Sequence, residues 1–246
     1  MISKYLLSAL VLLLPINSVY AQGIEVYNNS PEIVTTAHNR SVYYINESRK
    51  TYNADDFINN ADKSIPVVIH LHGCGGVHSG DREIRDFYMG LGFHFVMTDF
   101  LKRSDAVASC TVINNRLTYT GNVMTRLPAR VNEMHHHINY LKDNGFKNII
   151  VTGHSEGGMV AQLINLSVNA VIMHSISCIP KFRAPNKDNK FLQLISVNDP
   201  LISRGHILCQ GKEGHENFKT VTSTESTHSP FAEHSWKTEI RKFIGR

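Results

Sequence analysis

Apolar positions along this chain follow two alternating rhythms. Short, nearly unbroken apolar runs recur at 66–71 (PVVIHL), 93–99 (FHFVMTD), 148–152, 170–175 (AVIMHS) and 191–197 (FLQLISV). Runs of this length predict strands buried on both faces of a parallel sheet. Between them the spacing becomes helical. Ile84, Phe87, Tyr88 and Leu91 share one face of a helix over 81–91, which Gly92 stops. Val131, Met134, Ile138 and Leu141 do the same over 127–144, ended by Asn144-Gly145. A third helix is expected over 156–166 and an amphipathic one over 231–243. Residues 217–222 read as the last strand. Near the N-terminus, 24–27 and 41–45 read as short strands forming an antiparallel edge. The polar stretch 46–63 reads as irregular. Residues 102–121 show no period and read as a long, pocket-lining loop. Strands alternating with helices predict an α/β fold, with a mostly parallel central sheet and helices on both faces.

The first 21 residues do not belong to that pattern. Lys4 precedes a short apolar stretch, 5–14, too short to span a bilayer comfortably. Val19-Tyr20-Ala21 then offers small residues at a cleavage site. This predicts a signal peptide cut after Ala21, a secreted or periplasmic protein with no stable membrane span, and a single domain over 22–246. The net charge of +4 includes no basic block, which argues against a nucleic-acid partner. Export gives meaning to the four cysteines, Cys74, Cys110, Cys178 and Cys209. In the usual order of such a sheet, the strand before Cys74 lies beside the one before Cys110. The strand before Cys178 lies beside the one before Cys209. The expected disulfides are Cys74–Cys110 and Cys178–Cys209.

The chemistry concentrates at Gly153-His154-Ser155-Glu156-Gly157, between a predicted strand and a predicted helix. This G-x-S-x-G pattern in a strand–turn–helix setting exposes a serine on a sharp turn, with glycines where side chains would collide. A serine hydroxyl needs a base within reach, and the base needs an orienting carboxylate. Asp199, just after the run 191–197, and His228, between the last strand and the last helix, occupy the right positions in the right order. Asp188, His206, His215 and His234 are the weaker competitors. The glycine-rich loop His72-Gly73-Cys74-Gly75-Gly76 follows the first buried strand. The backbone N–H groups of Cys74 and Glu156 are the candidate oxyanion hole. Cys74 as a rival nucleophile lies off the sharp turn. His72 is expected to support the loop. His135, His136 and His137 point about 100° apart on a helix and cannot converge on one metal; they read as partly solvated.

Together, the HGCGG loop, the Thr98-Asp99-Phe100 … Cys110 stretch, GHSEGG and the Asp199 and His228 contexts resemble the dienelactone hydrolase-type branch of the α/β-hydrolase superfamily, from about Ser64 onward. The resemblance implies a hydrolase with Ser155 as nucleophile, Asp199 as acid and His228 as base. It implies a small-molecule acyl substrate and neither metal nor organic cofactor. The enzymes that name the branch carry cysteine where this chain has Ser155, which favours a broader carboxylic ester over dienelactone. A peptidase or amidase of the same fold, or a binding protein that keeps the fold, are the other readings. The sequence is silent on oligomeric state.

Overall fold

The computed structural model describes residues 37–246, apart from 47, 49, 104, 105, 114, 115, 120–122, 180–185, 187, 203–206, 212–215 and 232. The proposed signal peptide and the strand expected at 24–27 lie outside the described residues.

Eight strands form one sheet: β1 (Val42–Tyr44), β2 (Thr51–Tyr52), β3 (Val67–Leu71), β4 (His94–Met97), β7 (Ile149–His154), β8 (Ala170–His174), β9 (Phe191–Ser196) and β10 (Phe218–Ser223). Their order is β10-β9-β8-β7-β3-β4-β1-β2. The six from β10 to β4 are parallel, and β1 pairs antiparallel with both β4 and β2. The chain starts the parallel block at β3, steps outward to β4, then returns to β7 on the other side of β3. That reversal opens a crevice at the carboxyl ends of β3 and β7, where ligands bind in open sheets of this kind. Register aligns those ends, with Leu71 opposite Gly153 and His154 opposite His174.

Alternate strand residues feed two cores. Val67, Ile69, Leu71 and Val151 face α1 (Ala54–Asn60), α3 (Val123–Asp143) and α4 (Glu156–Gln162). Val68, Phe95, Ile150 and Leu192 face α2 (Ser79–Gly90) and α5 (His234–Ile244). Leu127, Val131, Met134, Ile138 and Leu141 form the buried stripe of α3, as their spacing predicts. The sheet is therefore covered on both faces.

Two stretches differ from expectation. The polar segment 46–63 contains β2 and α1. Ala54 and Phe57 supply the buried side of that short helix, and the Asn53 side chain caps it by accepting from the Asp56 N–H at 2.8 Å. The aperiodic stretch 102–121 folds as the hairpin β5 (Cys110–Ile113) and β6 (Arg116–Tyr119), a second, two-stranded sheet. In addition, α3 begins at Val123 rather than 127, and α4 ends at Gln162 rather than 166.

Both expected disulfides are present, Cys74–Cys110 and Cys178–Cys209. No helix among the described residues is long and apolar enough to cross a membrane.

Candidate active site

Ser155 follows the last residue of β7 and caps α4 with φ 54° and ψ −121°, a conformation that side-chain-bearing residues rarely adopt. The neighbouring glycines explain how the turn is tolerated. A Cβ on Gly153 would collide with the carbonyl oxygen of Gly157, and one on Gly157 with the carbonyl oxygen of Leu71. The Ser155 N–H is held by the His174 carbonyl at 2.9 Å. The serine thus sits at the crevice between β3 and β7, at a helix N-terminus whose dipole favours negative charge.

The predicted partners arrive on loops after β9 and β10. His228 Nδ1–H donates to Asp199 Oδ2 at 2.6 Å. Asp199 is buried, and its other oxygen accepts from the Leu201 N–H at 2.9 Å. With Nδ1 engaged, His228 Nε2 is left for chemistry. It is buried and has no partner among the described residues. Ser155 and His228 line the same cavity of about 530 Å³, with Gly73, Cys74, Gly75, His78 and His154. No hydrogen bond joins Ser155 Oγ to His228 among the described residues. Neither the Cys74 N–H nor the Glu156 N–H donates a hydrogen bond there either.

The competitors fall elsewhere. Asp188 is exposed in a turn with Asn186. His234 opens α5. His206 and His215 lie outside the described residues. Cys74 carries no free thiol, being bonded to Cys110.

No protein-family model and no curated protein sequence matches the chain. Solved structures do match. The Pyrococcus furiosus esterase Pf2001 aligns with a TM-score of 0.54 at 14% identity, over 90% of this chain and 97% of that one. Est1E from Butyrivibrio proteoclasticus, solved with ferulic acid bound, gives 0.52 at 12% identity over 83% and 93%. A candidate dienelactone hydrolase from Klebsiella pneumoniae gives 0.51 at 14% identity over 76% and 89%. The chain has the α/β-hydrolase fold. At these identities the likeness is one of fold.

On this α/β-hydrolase scaffold, one group of side chains escaped the sequence reading. Glu156, directly after Ser155, is buried and bonded to Arg126, Arg130 and Ser109, at 2.6 to 2.9 Å. Arg130 also donates to the His72 carbonyl at 2.7 Å, and Arg126 reaches the carbonyls of Cys74 and Val107. Burial alone would raise the Glu156 carboxyl, but Arg130, Arg126 and Ser109 hold it below its ordinary value. The network ties the serine turn to the Cys74 loop. Arg126 and Arg130, four apart on one helix face, were the available signal.

His72 supports the loop as expected. Its Nδ1–H donates to the Gly73 carbonyl at 2.6 Å, and its Nε2 accepts from the Phe100 N–H at 3.1 Å. His137, expected to be partly solvated, is instead buried beside Ser41 and Tyr43. It lies three residues from Met134 and four from Leu141, on the apolar stripe.

Three loop carbonyls around His228 are also gripped from the ends of β7 and β8. His154 donates to the His228 carbonyl at 2.8 Å, Ser175 to that of Ser229 at 2.9 Å, and His174 to that of Pro230 at 2.7 Å. His154, Asp81 and His78 also bring metal-ligating atoms together beside the cavity.

Proposed function

We propose that this protein is an exported serine hydrolase that cleaves a carboxylic ester or a related small acyl substrate. The observation that carries this reading is the 2.6 Å bond from His228 Nδ1 to buried Asp199, which leaves Nε2 unpaired on a residue that lines the same cavity as Ser155. As His228 Nε2 takes the Ser155 proton, Oγ attacks the acyl carbonyl. Asp199 holds the imidazole in the required tautomer and stabilises its protonated form. The Cys74 and Glu156 N–H groups receive the oxyanion, each such donor contributing about 3 kcal/mol in the transition state. The carbon–oxygen bond to the leaving group then breaks, and His228 returns the proton to the departing alcohol. Water, deprotonated by His228, attacks the acyl-enzyme; its collapse releases the acid and restores Ser155.

The cavity of about 530 Å³ supports a small substrate. So does the ferulic acid bound by Est1E, a protein of the same fold. The two disulfides support an oxidising compartment. Export would come from residues 1–21, leaving one domain over 22–246.

The test is turnover of p-nitrophenyl esters of increasing acyl length by wild type, Ser155→Ala and Asp199→Asn. Wild type should favour short chains. Both substitutions should lower kcat by about 10⁴-fold. Undiminished turnover in Ser155→Ala would rule out the reading.

A further inference from the structure

His78 at the cap of α2, Asp81 in its first turn and His154 at the end of β7 meet beside the cavity. Each offers one ligand atom, and the three atoms lie within 4.8 Å of one another. His78 Nδ1 is 3.2 Å from Asp81 Oδ2. Asp81 and His154 are buried, at 0% and 4% exposure, while the His78 side chain is 46% exposed.

The contacts behind these atoms are as telling as the atoms themselves. His154 Nε2–H donates to the His228 carbonyl. A carbonyl only accepts, so the neutral ring carries its proton on Nε2 and its lone pair on Nδ1. That Nδ1 is buried and has no partner among the described residues. On Asp81, Oδ1 is held by His70 Nε2 at 2.7 Å. An imidazole whose far N–H binds a carbonyl, and a carboxylate already braced by a hydrogen bond, are the outer contacts that orient metal ligands. The capping box of α2 accounts for the closeness of His78 and Asp81, since Asp81 Oδ2 accepts the His78 N–H at 2.8 Å. It does not account for His154, which comes from another element, offers the pair a ligand atom within 4.8 Å, and has an unpaired Nδ1.

We infer that His78, Asp81 and His154 bind a divalent transition ion of the zinc class. Two imidazoles and one carboxylate suit zinc, with water completing a tetrahedron. Bonds of about 2.0–2.1 Å put neighbouring ligand atoms roughly 3.4 Å apart. Rotation of the half-exposed His78 ring closes the wider separations, at the loss of its 3.2 Å bond from the Gly80 N–H. A second cavity, of about 370 Å³ and lined by His78, Glu83, His154 and His228 among others, gives the ion a way in. Once bound, the ion ties the start of α2 to the end of β7 and, through His154, to the backbone of His228. The inference does not depend on the hydrolase reading.

The test is calorimetric titration of chelator-treated full chain with zinc chloride, for wild type and His78→Ala. Wild type should bind one zinc per chain with a micromolar or tighter Kd, and zinc should raise its Tm. His78→Ala, which removes a surface side chain, should bind at least about tenfold more weakly and lose the Tm increase. Cobalt(II) gives an independent readout. Wild type should show the intense visible absorption of a tetrahedral site, and His78→Ala should not. The absence of zinc binding in wild type, or equal binding in His78→Ala, overturns the assignment. So does a weak, octahedral cobalt spectrum.

Discussion

His154 Nε2–H donates to the backbone carbonyl of His228 over 2.8 Å, so the residue before the serine holds the loop that carries the proposed base. Ser175 and His174 hold the next two carbonyls. His228 is thereby fixed from its backbone as well as from Asp199. His154→Phe keeps a ring in place but removes the donor. It should lower kcat by about 10²-fold, the typical cost of misplacing a reacting group by about 1 Å, with little change in KM. Steady-state kinetics with one ester decide this; an unchanged kcat contradicts it.

The buried Glu156 makes the serine turn dependent on α3. Glu156→Gln leaves Arg126 and Arg130 without their counter-charge. Breaking such a pair costs about 3–5 kcal/mol. Urea denaturation should show that loss, and activity should fall with it, because Arg130 and Arg126 also position the His72 and Cys74 carbonyls. A stability change under about 1 kcal/mol would argue against a structural role for the network.

The two disulfides should differ in what they protect. Each closes a loop of about 30–40 residues, which predicts a loss of about 3–4 kcal/mol on removal. Only Cys74–Cys110 lines the cavity. Replacing both Cys74 and Cys110 by serine should lower kcat by tenfold or more, since the Cys74 N–H is a proposed oxyanion donor. The matching Cys178 and Cys209 double substitution should destabilise without that loss. Equal effects on kcat would remove the distinction.

Stability should fall in mild acid. Burial, with Arg130 in the case of His72, pulls His72 and His174 down to about 3. In the unfolded chain each returns to about 6.5. The unfolded state therefore binds more protons between those values. The stability is full above about pH 6.5 and is lost as pH falls toward 3, by up to about 1.4 kcal/mol per pH unit for each group. Tm measured at pH 7, 5.5 and 4.5 should decline stepwise; a flat profile contradicts it.

The parallel strands were legible because PVVIHL, AVIMHS and FLQLISV are short, nearly unbroken apolar runs, and the two neighbour pairs expected from the usual order of such a sheet, β3 with β4 and β8 with β9, are present. The contact between Asp199 and His228 follows from each lying in a loop after a strand. The hairpin β5–β6 was not legible, since its strands pair only with each other in a second sheet and their sequence shows no alternation. Helix α1 was hidden because its seven residues bury only Ala54 and Phe57. The Glu156 network and the grip of His154 on His228 join residues 26 to 74 apart in sequence. Local patterning shows at most that Arg126 and Arg130 share a helix face, and nothing of the distant partners they meet. Composition likewise could not place His78, Asp81 and His154 together, because their meeting depends on β3 and β7 being neighbours.

Ser155 is the proposed nucleophile and His228 its base. The most direct measurement is fluorophosphonate labelling of folded protein, with the adduct located by peptide mass mapping. One adduct is expected, on Ser155, absent from Ser155→Ala and formed far more slowly in His228→Ala. An adduct on another residue, or none in folded wild type, would contradict it.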